Sequence, residues 1–288
     1  MQGASDASVS ALVEAITPRA SGTKGPPASK WGDLAPRVAS ALVLVPLALA
    51  CIWAGGVFWA ALVTLVTVGL GWEWVRLTDL LPVSLPGLAI PGIAVLVVLL
   101  AASGFWPAAL AIAAAGSLAL ALSAGWRGLG LPYIAAAALG LLWLRDDAAT
   151  GLANLLFAVL IVWASDIGAY LAGRAVGGPK LAPAISPGKT VSGALGGLAA
   201  AALTGLGVGF ASAGALSWRA AALAVVLAVV AEAGDLLESW IKRRCGKKDS
   251  SHLIPGHGGL LDRLDALMAV APVAALLSFV LGRGVTLW

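Results

Sequence analysis

Charge is what this chain has least of: 11% of its residues are Asp, Glu, Lys or Arg, against 60% that are hydrophobic. An ordinary soluble domain carries about a quarter charged residues, so a soluble globular fold is excluded. Cysteine and histidine are scarcer still, two of each. Cys51 lies in an apolar run and Cys245 in a basic loop, which gives no disulfide framework. His252 and His257 are five apart, a spacing that matches no zinc motif. A P-loop is missing as well. Pro187-Gly188-Lys189-Thr190 has the ending of one, but Pro183 stands where the pattern needs glycine, and no strand is expected before it. No signal peptide is expected, since the first long apolar run begins near residue 38. No fixed-period repeat occurs, and nothing points to DNA or RNA as a partner.

What is present is one apolar run after another, each near the 17–25 residues or so that cross a bilayer. The expected spans are Val38–Ala54, Val57–Trp72, Leu85–Ser103, Phe105–Gly125, Leu129–Leu144, Leu152–Ala172, Val191–Ser212, Ala220–Leu237 and Leu264–Leu281. The expected fold is therefore all-α: a polytopic integral membrane protein with about nine transmembrane helices and a cytoplasmic N-terminus. The basic residues support that orientation. Of the 18 Lys and Arg, this topology leaves only Arg145, Arg219 and Arg283 outside, as the positive-inside rule requires. Residues 1–36 are expected to be a mobile cytoplasmic tail, 37–150 a block of about five helices, and 151–288 a catalytic region with two cytoplasmic polar loops. Glu73, Arg76 and Asp79 are expected on a solvated cytoplasmic turn. Asp146 and Asp147 fall on the outer side and are given no role.

The polar residues concentrate in the second half. Asp166, late in the sixth span, is expensive to bury as an anion, about 3 kcal/mol on insertion scales. It is expected to line a polar cavity rather than merely pair with Arg174. Ser186, Lys189 and Thr190 are expected at the start of a helix, where free N–H groups favour anions. Glu232, Asp235 and Glu238 recur every three residues on one side of the eighth span. Glu238 has Lys242 at i+4, but Glu232 and Asp235 have no partner nearby in sequence. Bound cations account for such a stripe most economically. Asp262 and Asp265 share a face at the start of the ninth span. Carboxylates without Cys suit a hard cation such as Mg²⁺.

The densest stretch is SWIKRRCGKKDSSHLIPGHGGLLDRLD, Ser239 to Asp265. It resembles the signature of the phosphatidate cytidylyltransferases: S-x-hydrophobic-K-R, then K-D, then P-x-H-G-G, then D-R-x-D. Ser239, Ile241, Lys242, Arg243, Lys248, Asp249, Ser251, Pro255, His257, Gly258, Gly259, Asp262, Arg263 and Asp265 all fall in register. Upstream, Asp166, Ala169 and Tyr170 resemble the family's D-x-x-A-Y stretch, with Gly173 and Arg174 following. Ser186-Pro187-x-Lys189-Thr190 and Gly234-Asp235-x-x-Glu238-Ser239 resemble two further segments. The chain departs from the family at Ser192, where many members have Glu, and at Glu232, where many have Gln.

The resemblance implies transfer of a cytidylyl group from CTP to phosphatidic acid, giving CDP-diacylglycerol and pyrophosphate. It implies catalytic roles for Asp235, Asp262, Asp265, Lys242, Arg243 and Lys248. Ser186, Lys189, Thr190, Ser239, His257, Gly258, Gly259, Arg263, Asp166 and Tyr170 would bind substrate. Asp235, Asp262, Asp265 and Glu238 would hold Mg²⁺, with room for a second cation. The implied partners are CTP, phosphatidic acid and the lipid bilayer, in a bacterial inner membrane with the site facing the cytoplasm. A homodimer is a general expectation for membrane enzymes rather than a reading of these residues. A cation-coupled transporter is the alternative for carboxylates within spans. A CDP-alcohol phosphotransferase is disfavoured because its D-G-x-x-A-R pattern does not occur.

Overall fold

Backbone in lipid must satisfy its own hydrogen bonds, so apolar runs of this length have helix as their stable form. A computed structural model describes residues 34–251, 253–254 and 258–288. Nine α-helices occur among the described residues. The first five are α1 (Leu34–Ala54), α2 (Gly56–Leu77), α3 (Leu85–Ala102), α4 (Trp106–Ala124) and α5 (Gly130–Asp146). The others are α6 (Gly151–Val176), α7 (Val191–Ala213), α8 (Trp218–Arg244) and α9 (Leu261–Leu281). Seven segments are long and apolar enough to cross a membrane when α4 and α5 count together as Trp106–Asp146; Ser40–Ala54 is a shorter apolar helix.

Helix ends shift by several residues, and α2 runs on through Leu77, so that Glu73 and Arg76 are helical rather than on a turn. Two further differences from the sequence expectation bear on the site. First, α8 runs through Arg244, past the expected end at Leu237, so Glu238, Ser239, Lys242 and Arg243 are helical. Second, a short antiparallel hairpin, β1 (Lys180–Ala182) with β2 (Ser186–Thr190), pairs Lys180 with Thr190 and Ala182 with Ser186. Ser186 and Lys189 therefore lie on a strand rather than at the start of a helix. Only Thr190 meets the helix, as the N-cap of α7, where its Oγ1 accepts from Gly193 N at 3.1 Å.

Packing rests on small residues, as expected where lipid removes the hydrophobic drive between helices. The buried face of α7 is Gly193, Gly197, Ala201, Gly205 and Gly209, repeating every fourth residue. At Gly205 a Cβ would stand 2.5 Å from the Ala220 carbonyl oxygen of α8.

Polar contacts sort to the two ends of the bundle. At one end Arg145 donates to the carbonyls of Ile52 (2.7 Å) and Trp53 (3.0 Å), closing α1. There Asp147, expected to have no role, accepts from Ala149 N, Thr150 N and Gly284 N. Asp146 pairs with Arg283 at 3.0 Å. These contacts staple the α5–α6 turn to the segment after α9. The opposite end gathers the end of α2, the hairpin, the end of α8 and the start of α9.

Candidate active site

Lys189 leaves β2 pointing inward and meets two carboxylates of α8, Glu232 Oε1 at 2.6 Å and Asp235 Oδ2 at 2.7 Å. Burial alone would push its pKa down, but the adjacent Asp235 and Glu232 outweigh that and the net shift is upward. Glu232 and Asp235, which have no partner near them in sequence, thus share one delivered by the hairpin. A cavity of about 360 Å³ opens beside this triad, lined by Asp166, Tyr170 and Arg174 of α6, Thr190, and the Lys189, Glu232 and Asp235 side chains. Arg174 bonds to Tyr170 Oη at 3.3 Å, one helical turn away.

A second lysine makes a second bridge. Lys242 Nζ lies 2.5 Å from Glu238 Oε2, one turn earlier on α8, and 2.7 Å from Asp262 Oδ1 in the first turn of α9. Asp262 also accepts from Ser250 N (3.0 Å), Ser250 Oγ (3.0 Å) and Gly259 N (2.9 Å). Glu238 is 1% exposed, and its Oε1 has no hydrogen-bond partner among the described residues. Removing one member of a buried pair typically costs about 3–5 kcal/mol, because the partner charge is left without compensation. Ser239 Oγ lies 3.4 Å from Asp235 Oδ1. Asp265 lies near enough to Asp235 and Asp166 for their charges to interact. Gly234 allows this gathering, since a Cβ there would sit 2.9 Å from the Asp265 carbonyl oxygen. Among the described residues, no three His, Cys, Asp or Glu side chains converge closely enough to hold a metal by themselves.

The basic cluster that looks uniform in sequence divides by contact. Arg243 donates to the Ile185 carbonyl at 3.2 Å, tying α8 to the hairpin. Arg244 lies over the Trp126 and Trp240 rings, 5.0 and 5.4 Å from their centroids. Lys247 closes the end of α2 through the carbonyls of Arg76 (2.7 Å) and Leu77 (3.0 Å) and the Asp79 carboxylate (2.7 Å). Lys248 is exposed. Arg263 is also exposed, and it borders an apolar cavity of about 500 Å³ between α1, α2, α6 and α9. Gly258, at φ +84°, pairs with Ile254 in an antiparallel bridge. His257, a candidate substrate ligand, lies outside the described residues, as do His252 and Pro255.

Glu73 departs most from its sequence reading. It is fully buried at the end of α2, not on a solvated turn. Its carboxylate accepts from Leu260 N and Leu261 N, both at 2.7 Å, and from Ser251 Oγ at 2.5 Å, and Ser250 Oγ lies 3.1 Å away. The signal was available in the sequence. A carboxylate between Trp72 and Trp74, still within the apolar run, is costly unless it is satisfied. Nearby Arg76 and Asp79 made the stretch read as a surface turn.

These features define an integral membrane protein with a lysine- and carboxylate-lined site at one end of a helical bundle. The chain belongs to the cytidylyltransferase family, which it matches over residues 35–281. A Pseudomonas aeruginosa phosphatidate cytidylyltransferase is 40% identical over 274 residues, covering 86% of this chain and 98% of that protein. A Brucella suis phosphatidate cytidylyltransferase is 51% identical over 147 residues, and a Staphylococcus saprophyticus one is 41% identical over 148. Those two matches cover 51% of this chain, and 54% and 57% of the relatives, so the chain spans about half their length.

Proposed function

We propose that this protein transfers the cytidylyl group of CTP to phosphatidic acid, giving CDP-diacylglycerol and pyrophosphate. The observation that carries the reading is the match to the Pseudomonas protein of that name over 98% of its length. The site chemistry supports it: two inward lysines and an exposed cationic rim suit a reaction between two polyanions.

A lipid phosphate oxygen attacks the α-phosphorus of CTP, and the bond from that phosphorus to the pyrophosphate oxygen breaks. The nucleophile is already an anion at neutral pH, so no general base is required. The protein's task is to neutralise and align the two substrates. Lys242, Arg243 and Lys248 contact the triphosphate and stabilise the departing pyrophosphate. Lys189, Ser186 and Thr190 hold a phosphate at the cavity edge, bordered by Asp166 and Tyr170. Ser239 stays beside Asp235. The backbone at Gly258 and Gly259, with His257, approaches a phosphate closely. Arg263 meets the lipid phosphate, and the apolar cavity beside it receives an acyl chain entering from the leaflet.

The donor set is all carboxylate oxygen, and the buried Glu238 Oε1 has no partner, which fits a hard cation such as Mg²⁺. Asp235, Glu238 and Asp265 are the candidate ligands, but the three do not converge in this structure, so fewer than three would hold one ion as the side chains stand. Asp262 would join only by giving up part of its hydrogen-bond shell. Too few side chains converge to complete the coordination, which suits Mg²⁺, an ion that keeps waters and substrate oxygens. When bound it would offset negative charge on the phosphoryl oxygens. The site faces the cytoplasm, where CTP is found, in a bacterial inner membrane.

Pyrophosphate release from CTP by the purified chain in detergent tests the reading, with phosphatidic acid and Mg²⁺ each added or withheld. Release that needs the lipid supports it. Release independent of the lipid, or none from a folded monodisperse sample, would overturn it. Full turnover in both Asp235→Asn and Asp262→Asn would remove the metal assignment alone.

A further inference from the structure

The family signature lies on the hairpin, α6, α8, α9 and the segment between α8 and α9, and does not include the buried carboxylate of α2 that part of it contacts. We propose that Glu73 is a positioning residue for the active site: it anchors both flanks of the Ser250–Leu261 segment and so fixes Asp262 and the phosphate-binding backbone around Gly259. The inference deepens the cytidylyltransferase reading and rests on it.

The argument begins at the start of α9. A helix's first amides lack intrahelical acceptors, and α9 has no local side-chain cap. Glu73 supplies one from another helix, accepting Leu260 N through Oε1 and Leu261 N through Oε2, both at 2.7 Å. At the segment's other flank Oε1 accepts from Ser251 Oγ, and Oε2 lies within hydrogen-bond distance of Ser250 Oγ. One carboxylate thus clamps both ends of the segment with three hydrogen bonds, and it competes with Asp262 for the single hydroxyl proton of Ser250.

Ser250 links this clamp to the reacting groups. Its Oγ lies 3.1 Å from Glu73 Oε2 and 3.0 Å from Asp262 Oδ2, and Asp262 in turn holds Lys242. Gly259 fills the gap between them. A Cβ there would stand 1.8 Å from Ser250 Oγ, 2.9 Å from Glu73 Oε2 and 3.0 Å from Asp262 Oδ2. A larger residue would have to displace Ser250, because the backbone here is pressed between two carboxylates. An amide in place of Glu73 would keep the shape but present one oxygen where two now accept.

The test compares wild-type full-length chain with Glu73→Gln in detergent, using two readouts. Hydrogen exchange reports the clamp: protection at Leu260 and Leu261 is expected to fall at least about tenfold while the rest of α2 and α9 stays protected. Steady-state pyrophosphate release reports its purpose: KM for CTP is expected to rise about tenfold or more. A variant that only lowered the folded fraction would reduce the apparent kcat and leave KM unchanged. Unchanged exchange at Leu260 and Leu261, or released amides with KM within twofold of wild type, would overturn the proposal. Should Glu73→Gln unfold throughout, Ser251→Ala takes its place: a local exchange increase with a raised KM upholds the clamp, and neither change overturns it. Absence of pyrophosphate release from the wild type would defeat the transferase reading alone, and the exchange arm would still decide whether Glu73 holds the segment.

Discussion

Lys189 Nζ stands 2.7 Å from Asp235 Oδ2, and that contact joins the hairpin to α8 across the mouth of the candidate cavity. The lysine side chain is 19% exposed and the carboxylate 34%, so the pair is partly screened. Lys189→Met is expected to cost about 1–2 kcal/mol, between the values for surface and buried pairs, and to lower turnover about a hundredfold or more. Thermal unfolding and pyrophosphate release check both. Adding Glu232→Gln should recover some stability without restoring turnover, because it relieves the repulsion but returns no cation.

Lys242 and Glu238 should behave asymmetrically. Lys242→Met strands two carboxylates, whose side chains are 2% and 10% exposed, and is expected to destabilise by about 3–5 kcal/mol. Glu238→Gln leaves Lys242 its Asp262 partner and places a neutral amide where one oxygen is already unpartnered. A loss of no more than about 1 kcal/mol is expected. Equal losses in denaturation of the two variants would contradict the bridge.

Gly259→Ala is expected to lower turnover at least about tenfold, because its methyl group must displace Ser250 from between Glu73 and Asp262. Gly207→Ala is the control. A Cβ there meets nothing within 4 Å, and replacing glycine within a helix should stabilise by about 0.5–1 kcal/mol. Matched activity and melting measurements on the two variants separate crowding in the site from a general effect of added methyl groups.

Asp147 gives a pH dependence. Backbone hydrogen bonds from Thr150 and Gly284 hold its carboxyl below the usual range. A depressed folded pKa contributes stability that is complete above the unfolded value, about 3.9, and is lost as pH falls through the folded value. The difference in thermal midpoint between wild type and Asp147→Asn should therefore be constant above about pH 5 and shrink on acidification below about pH 4. A difference that grew on acidification would contradict the sign.

Much of this protein is legible from residue order because lipid leaves few choices. A run such as Val191–Ser212 has helix as its stable form in a bilayer, and each expected span has a helix at its position. The motif from Ser239 to Asp265 names the family by itself. The boundaries that moved were those where polar residues continue a helix: α8 extends through Glu238 and Lys242 because that pair satisfies itself one turn apart. The hairpin was missed because Ser186–Thr190 reads locally as a polar loop, and strand pairing depends on β1 across an intervening turn.

The sequence by itself determined the helical architecture, the concentration of charge at one end and the family, since each follows from local composition and fixed spacing. Tertiary structure alone decided which charges meet. Lys189 neutralises Glu232 and Asp235, and Lys247 closes α2 rather than joining the site. Glu73, read as a surface residue, is buried against amides 187 and 188 positions later in the chain. The physical reason is that a charge in a low-dielectric interior requires a partner, and the partner is chosen by where the folded helices bring their ends together, which spacing along the chain does not encode.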